Sequence, residues 1–195
     1  MRSDVEFVSQ LFARLGADYS ETKSYVRDVP TQALLHIRSM THWLVNQIGQ
    51  MQQLTFDGPN LYDRIEQLNK QRLINVRTTR LLHKLRGHGN RGAHPEKYHL
   101  SSTQLVALAE KAVADFLALI EMLYPLFTQQ QAPSFAFVHF DQSAGRDLCY
   151  RAIMEDDHHA QYLVGMSLKN KALMLKEQQL ALADSGEQDV EAQAL

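Results

Sequence analysis

Apolar positions recur every three or four residues along most of this chain, the period of amphipathic helices rather than the alternation of strands. Val5, Val8, Leu11, Phe12 and Leu15 form the first stripe, with Asp4 near its start and Gly16 after its last member. A helix ending there is predicted, followed by a polar connection over 17–29. Pro30 suits a first helical turn, and Ala33, Leu34, Ile37, Met40, Trp43, Leu44 and Ile48 trace a long helix behind it. Asp57-Gly58-Pro59-Asn60 reads as a turn, and Leu61, Ile65 and Leu68 mark a short helix. Leu73, Val76, Leu81, Leu82 and Leu85 continue helically to Arg86. There Gly87, Gly89 and Gly92 are expected to break the helix and reverse the chain.

Ser101 or Ser102 caps the next helix, which carries Leu105, Leu108, Ala109, Ala112, Val113, Phe116, Leu117, Ile120 and Leu123 before Pro125. Gln129 to Ser134 has the composition of a linker. Phe135 to Phe140 is the one run with strand-like residues, too little to make a sheet. Helical periodicity resumes over 143–155 and 158–183, and the last dozen residues are polar and expected to fray. The pattern predicts an all-α protein. Residues 1–127 would form an up-and-down bundle of four to five helices, 128–142 a linker, and 143–195 a C-terminal helical hairpin.

At 195 residues and 45% hydrophobic content the chain can bury a core of its own. A single cysteine, Cys149, excludes a disulfide framework and a cysteine-based zinc site. No apolar run approaches the ~20 residues that span a bilayer, and Asp4 and Glu6 interrupt any signal sequence, so no membrane association and a cytoplasmic location are expected.

Net charge is −2, but it is unevenly spread. From Arg64 to Lys97 there are nine Lys or Arg against two acids, while acids gather after Asp141. A basic middle in an acidic protein is either the footprint of a phosphate backbone or a solvated face that meets the acidic tail. Arg77, Arg80, Lys84, Arg86 and Arg91 are the candidate nucleic-acid contacts.

Gly87-His88-Gly89-Asn90-Arg91-Gly92 fits the spacing of a dinucleotide-binding loop, but that loop needs a buried strand leading into it. The preceding residues are helical by period, which excludes this reading. Around the expected reversal sit Arg86, Asn90, Arg91 and His94. Arginine offers a planar fork for phosphate, and histidine an acid or base near neutral pH. These are the parts of an RNA-cleaving site, with His94, Arg86 and Asn90 as candidate catalytic residues. Equally, Asn90 could cap a helix while Arg86 and His94 satisfy carbonyls in a tight corner.

Three segments carry a resemblance. They are Pro30 to Arg38, Leu61 to Leu68, and Leu82 to His94, the last of the form Leu-Arg-x-x-Gly-Asn-x-x-Ala-His. Over about residues 25–127 the chain resembles the bacterial domain of unknown function four-one-four-five, a member of the HEPN superfamily of helical bundles. The resemblance implies a four- or five-helix bundle, often a homodimer. It also implies a setting in restriction or other defence systems, alone or within type I restriction endonuclease R subunits and helicase-like proteins. Many HEPN relatives are metal-independent ribonucleases using Arg-Asn-x-x-x-His across a dimer interface. Asn90 and His94 reproduce the end of that motif, whereas Gly89 stands in the arginine's place. Arg77 and His83 have a looser version of the spacing but fall on different helix faces. Residues 145–165 faintly resemble a partial Sel-one-like repeat, which would have to dock on the bundle or on a continuation of the chain.

His83, His88, His94 and His99, with His158 and His159, lack the i,i+4 spacing that places imidazoles on one helix face, so neither a metal nor another cofactor is expected. Three functions stay open. The first is a nucleic-acid- or nucleotide-binding module of a defence system. The second is a metal-independent endoribonuclease, or the accessory domain of a type I restriction endonuclease. The third is a non-catalytic domain for a protein partner, to which the acidic tail points.

Overall fold

The computed structural model describes residues 2–140 and 144–193, with the side chains of 2–140 and 145–183. It is an all-α helical bundle. A short strand β1 (Arg2–Ser3) leads into α1 (Asp4–Leu11) and α2 (Ala13–Asp28), then α3 (Pro30–Met51), α4 (Leu61–Lys70) and α5 (Val76–Ala93). A 3-10 turn (Pro95–Tyr98) connects to α6 (Ser102–Thr128), followed by β2 (Phe135–Ala136), α7 (Ala144–Met154) and α8 (His158–Gln193).

Local signals explain most boundaries. Ser3 and Glu6 close a capping box on α1, and Ser101 and Gln104 close one on α6. Asn60 and Asn75 accept from the backbone N–H three residues on, starting α4 and α5. Pro30 opens α3 at the position where its missing N–H costs nothing. Pro125 sits inside the end of α6, which runs on to Thr128.

Two predicted boundaries are wrong. The polar connection expected over 17–29 is helical, because Tyr19, Thr22, Lys23, Tyr25 and Val26 bury a face that a count of aliphatic residues does not reveal. The interruption falls at Phe12, whose extended backbone (φ −151°) separates α1 from α2, while Gly16 lies inside α2.

The second error matters more. The three glycines do not break the chain: α5 continues through them, and no glycine among the described residues has positive φ. A Cβ on Gly89 would lie 2.4 Å from Cβ of Arg38, and one on Gly92 2.4 Å from Cβ of Leu34. Both glycines therefore face α3 and let the two backbones approach more closely than any larger residue allows. Because 34 meets 92 and 38 meets 89, α3 and α5 run antiparallel. The chain turns only at His94 and Pro95, beyond the last glycine.

The core joins all of α1 to α6, with Phe7, Tyr19, Leu34, Ile37, Leu44, Ile65, Leu82, Leu85 and Phe116 fully enclosed. Leu148 of α7 and Ala160 and Leu163 of α8 belong to the same cluster. The strand-like run finds a partner at the opposite end of the sequence: Phe135 and Ala136 pair in parallel with Arg2 and Ser3. Asp4, fully buried, secures this junction. It accepts from the Tyr19 hydroxyl at 2.8 Å, Lys23 Nζ at 2.6 Å and the Val138 N–H at 3.0 Å. A buried carboxylate with three donors is tolerated, whereas an unpaired one would not be. The last dozen residues, expected to fray, continue α8 as helix to Gln193. No helix is long and apolar enough to cross a membrane among the described residues.

The glycines separate packing from helix propensity. Nothing lies within 4 Å of a Cβ built on Gly87, so Gly87→Ala should raise stability by about 0.5–1 kcal/mol through propensity alone. Gly92→Ala gains the same propensity but overpacks against Leu34, and should lower stability by about 1–2 kcal/mol net. Urea denaturation of the two variants checks the opposite signs.

Candidate nucleic-acid interface

A straight α5 distributes its polar side chains by angle, at about 100° per residue. Leu82, Leu85, Gly89 and Gly92 turn into the core. Arg77, Arg80, Lys84 and Arg91 then fall within about 60° of one another on the opposite, exposed side. Three of these have no acidic partner: the ion pairs among the described residues leave Arg77, Arg80 and Arg91 unpaired. Arg91 lies 6.0 Å from the Tyr98 ring centroid. Lys84 is different, since its Nζ lies 2.9 and 2.8 Å from the two oxygens of Asp115 on α6.

Arg86 does not join this stripe. It points about 180° from Arg77, toward α4, where its guanidinium stacks 5.2 Å from the centroid of the Tyr62 ring. Its Nε is buried without a hydrogen-bond partner. Arg86, Asn90 and His94 follow one another at intervals of four and form a ridge along α5, with Arg86 and His94 about 12 Å apart along the axis. The reversal that was to bring that guanidinium and imidazole together within one chain is absent. Asn90 lies inside the helix rather than capping the next one, and its carbonyl accepts the His94 N–H at 3.1 Å. His94 ends the helix with a 62% exposed side chain, its Nδ1 3.7 Å from a Glu96 oxygen.

His83 and His88 serve separate carboxylates. His83 Nε2 is 2.7 Å from Glu66, and His88 Nε2 is 3.0 Å from Asp115. Among the described residues no group of three or more His, Cys, Asp or Glu could hold a metal ion. Two α3 residues enter the picture that sequence reasoning did not single out. Arg38 drapes its aliphatic stem over Gly89, and His42 has a buried Nε2 without a partner. Their positions on the polar side of α3 carry no signal until the helix is docked.

Residues 20–134, more than half of the chain, match the family model described as Domain of unknown function (DUF4145). The chain belongs to this family. The DUF4145 segment begins within α2, includes α3 to α6 whole, and ends just before β2. Both α5 faces described above, and the residues that shape them, lie inside it, whereas α7 and α8 lie beyond it. No curated protein and no solved structure matches the chain.

Burial holds His36, His42 and His88 below the ordinary imidazole value of 6.5; at His42 the charges of Arg64 and Arg38 add to the effect, and at His88 the Asp115 bond opposes it. The unfolded chain binds these protons near pH 6.5, whereas the native chain resists them. Their contribution is therefore complete above that pH and is lost as pH falls through it toward the native values. The urea midpoint should drop between about pH 7.5 and about pH 5.5 at constant ionic strength.

Proposed function

We propose that this DUF4145 chain is a nucleic-acid-binding helical module that grips a phosphate backbone along α5. The observation that carries this reading is the exposed stripe of Arg77, Arg80, Lys84 and Arg91, three of them without acids of their own. From Arg77 to Arg91 the stripe extends about 21 Å along the helix axis. Successive phosphates of one DNA strand are about 3.4 Å apart along the duplex, so the stripe suits a polyanion better than a single nucleotide. The HEPN resemblance supports placing the module in a restriction or other defence system, where it acts as a homodimer.

Binding of this kind releases counterions. Affinity for single-stranded RNA or for duplex DNA should fall with salt at a log–log slope of about −2 to −3, as three free guanidinium groups imply. The triple variant Arg77→Glu, Arg80→Glu, Arg91→Glu should lose binding, as read by fluorescence anisotropy. Affinity that ignores salt, or that survives the triple variant, would overturn the reading.

A second reading, a metal-independent endoribonuclease, is favoured by one observation. The stem of Arg38 lies over Gly89, the position at which the related motif carries its arginine, and Asn90 and His94 follow within a turn and a half. A cation from α3 could then stand beside the ridge in place of the missing one. The protein would cleave single-stranded RNA in the presence of chelator, and His94→Ala would abolish this without shifting the melting temperature. Inert wild-type protein removes the idea.

A further inference from the structure

Between the DUF4145 segment and α8 lies a cavity of about 520 Å³, bounded by the starts of α3 and α6, the 3-10 turn and the middle of α8. Its volume is in the range of small-molecule sites. Val29, Pro30, Leu105 and Met166 supply much of an apolar wall. Two deeply buried polar side chains interrupt that wall, Ser102 of α6 and Asn170 of α8, only 3% and 9% exposed. Neither has its hydrogen-bonding capacity filled among the described residues. The Ser102 hydroxyl has no partner, its only bond being made by the backbone N–H. The Asn170 amide makes a single contact, from Nδ2 to the Met174 sulfur at 3.8 Å, and its Oδ1 makes none.

Ser102 Oγ and Asn170 Oδ1 are not among the sealed side-chain atoms that lack a partner, so each keeps some accessible surface. In side chains this deeply buried, that surface opens on the cavity they line. A thioether sulfur accepts but cannot donate, so the amide atom turned to Met174 is the NH2 group and the carbonyl oxygen is the one left over. A buried acceptor calls for a donor, which a carboxylate or a phosphate dianion does not have. Charge points the same way. Glu177, also in the lining, accepts from the Ser102 N–H at 2.8 Å, the Thr103 N–H at 3.4 Å and the Thr103 hydroxyl at 3.2 Å, so the start of α6 already answers it. Glu96, His99 and Lys169 line the cavity from solvent-exposed positions and need no counterion there.

We propose that this cavity binds a small uncharged molecule with a mainly apolar body and an amide-type edge, an N–H donor beside a C=O acceptor, as in a lactam or a pyrimidine-type heterocycle. The donor answers Asn170 Oδ1, and the carbonyl accepts from the second hydrogen of Asn170 Nδ2. The Ser102 hydroxyl is left for a further polar atom. Water can enter such a space, but against Leu105 and Met166 it finds few partners. A ligand that keeps the polar contacts while covering the apolar wall gains the burial of that wall. None of the stripe cations of α5 lines the cavity, so the inference goes beyond the nucleic-acid reading and does not rest on it. Because Asn170 and Met166 come from α8, the site is not a property of the DUF4145 segment alone.

The experiment uses the full chain with methyl-labelled methionine, in which Met166 reports on the cavity and is assigned by Met166→Leu. ε-Caprolactam should shift the Met166 methyl signal saturably at roughly millimolar concentration, the affinity a ligand of this size permits. N-methylcaprolactam has the same body without the donor and should bind about tenfold more weakly. Leu173→Trp enlarges a half-exposed residue of the lining and should abolish the shift. Asn170→Leu and Ser102→Ala should each weaken binding several-fold. Ser102→Ala keeps the backbone bond to Glu177 and the Ser101 cap, so it decides the matter even where Asn170→Leu disturbs packing. Thymine then separates the two kinds of body: tighter binding than the lactam assigns a flat heterocycle, weaker binding an aliphatic ring. A Met166 signal indifferent to both, equal affinity for the lactam and its N-methyl twin, or affinity unchanged in both polar variants overturns the site. The lactam response should persist in the stripe variant, which keeps failure of this site distinct from failure of the nucleic-acid reading.

Discussion

The contact on which the rest of this structure depends is the near-touching of α3 and α5 across Gly89 and Gly92. Backbones that meet without side chains between them have little freedom to rotate, since a turn of α5 would carry a side chain into the space the glycines leave. Rotation of α5 about its axis is thereby fixed. Once it is fixed, every polar residue on α5 has an assigned direction, and the chemistry of the segment follows from geometry.

Three environments result on one helix. The outward face keeps Arg77, Arg80 and Arg91 hydrated and unpaired, ready to exchange counterions for a polyanion. The flank toward α6 uses Asp115 to neutralise Lys84 and orient the buried His88. The flank toward α4 holds Arg86 against an aromatic face with its Nε unmatched. Sequence proximity had grouped these cations into one basic stretch, but their surroundings divide them by the work each can do.

Long-range polar contacts tie the ends of the chain to this framework. Asp4, Tyr19 and Lys23 connect α1 and α2 to the segment after α6, with Lys23 also donating to the Val138 carbonyl at 2.6 Å. At the other end Glu177 of α8 accepts from the Ser102 N–H at 2.8 Å and the Thr103 hydroxyl at 3.2 Å, a carboxylate set on the positive end of α6. Lys171 reaches Asp28 at 3.0 Å. Each contact joins residues far apart in the chain, so none has a local signature.

Hydrophobic spacing, caps and the proline at position 30 were enough to determine the all-α class, the start of α3, the short α4 and the start of α6, because those features act within a turn or two of backbone. Tyrosines and the stem of Lys23 carry the buried face of α2, so a count of aliphatic positions missed that helix. The glycines of α5 show where local reading ends. In isolation Gly87, Gly89 and Gly92 read as a breaker, since glycine is the residue that most readily leaves the helix. Only the presence of α3 alongside, filling the space a side chain would need, makes helix the lower-energy state. The same docking decided that Arg86 and His94 stay two turns apart and that the stem of Arg38 lies over Gly89. A sequence encodes which residues can turn or pack, whereas which of the two they do depends on a neighbour supplied by tertiary structure.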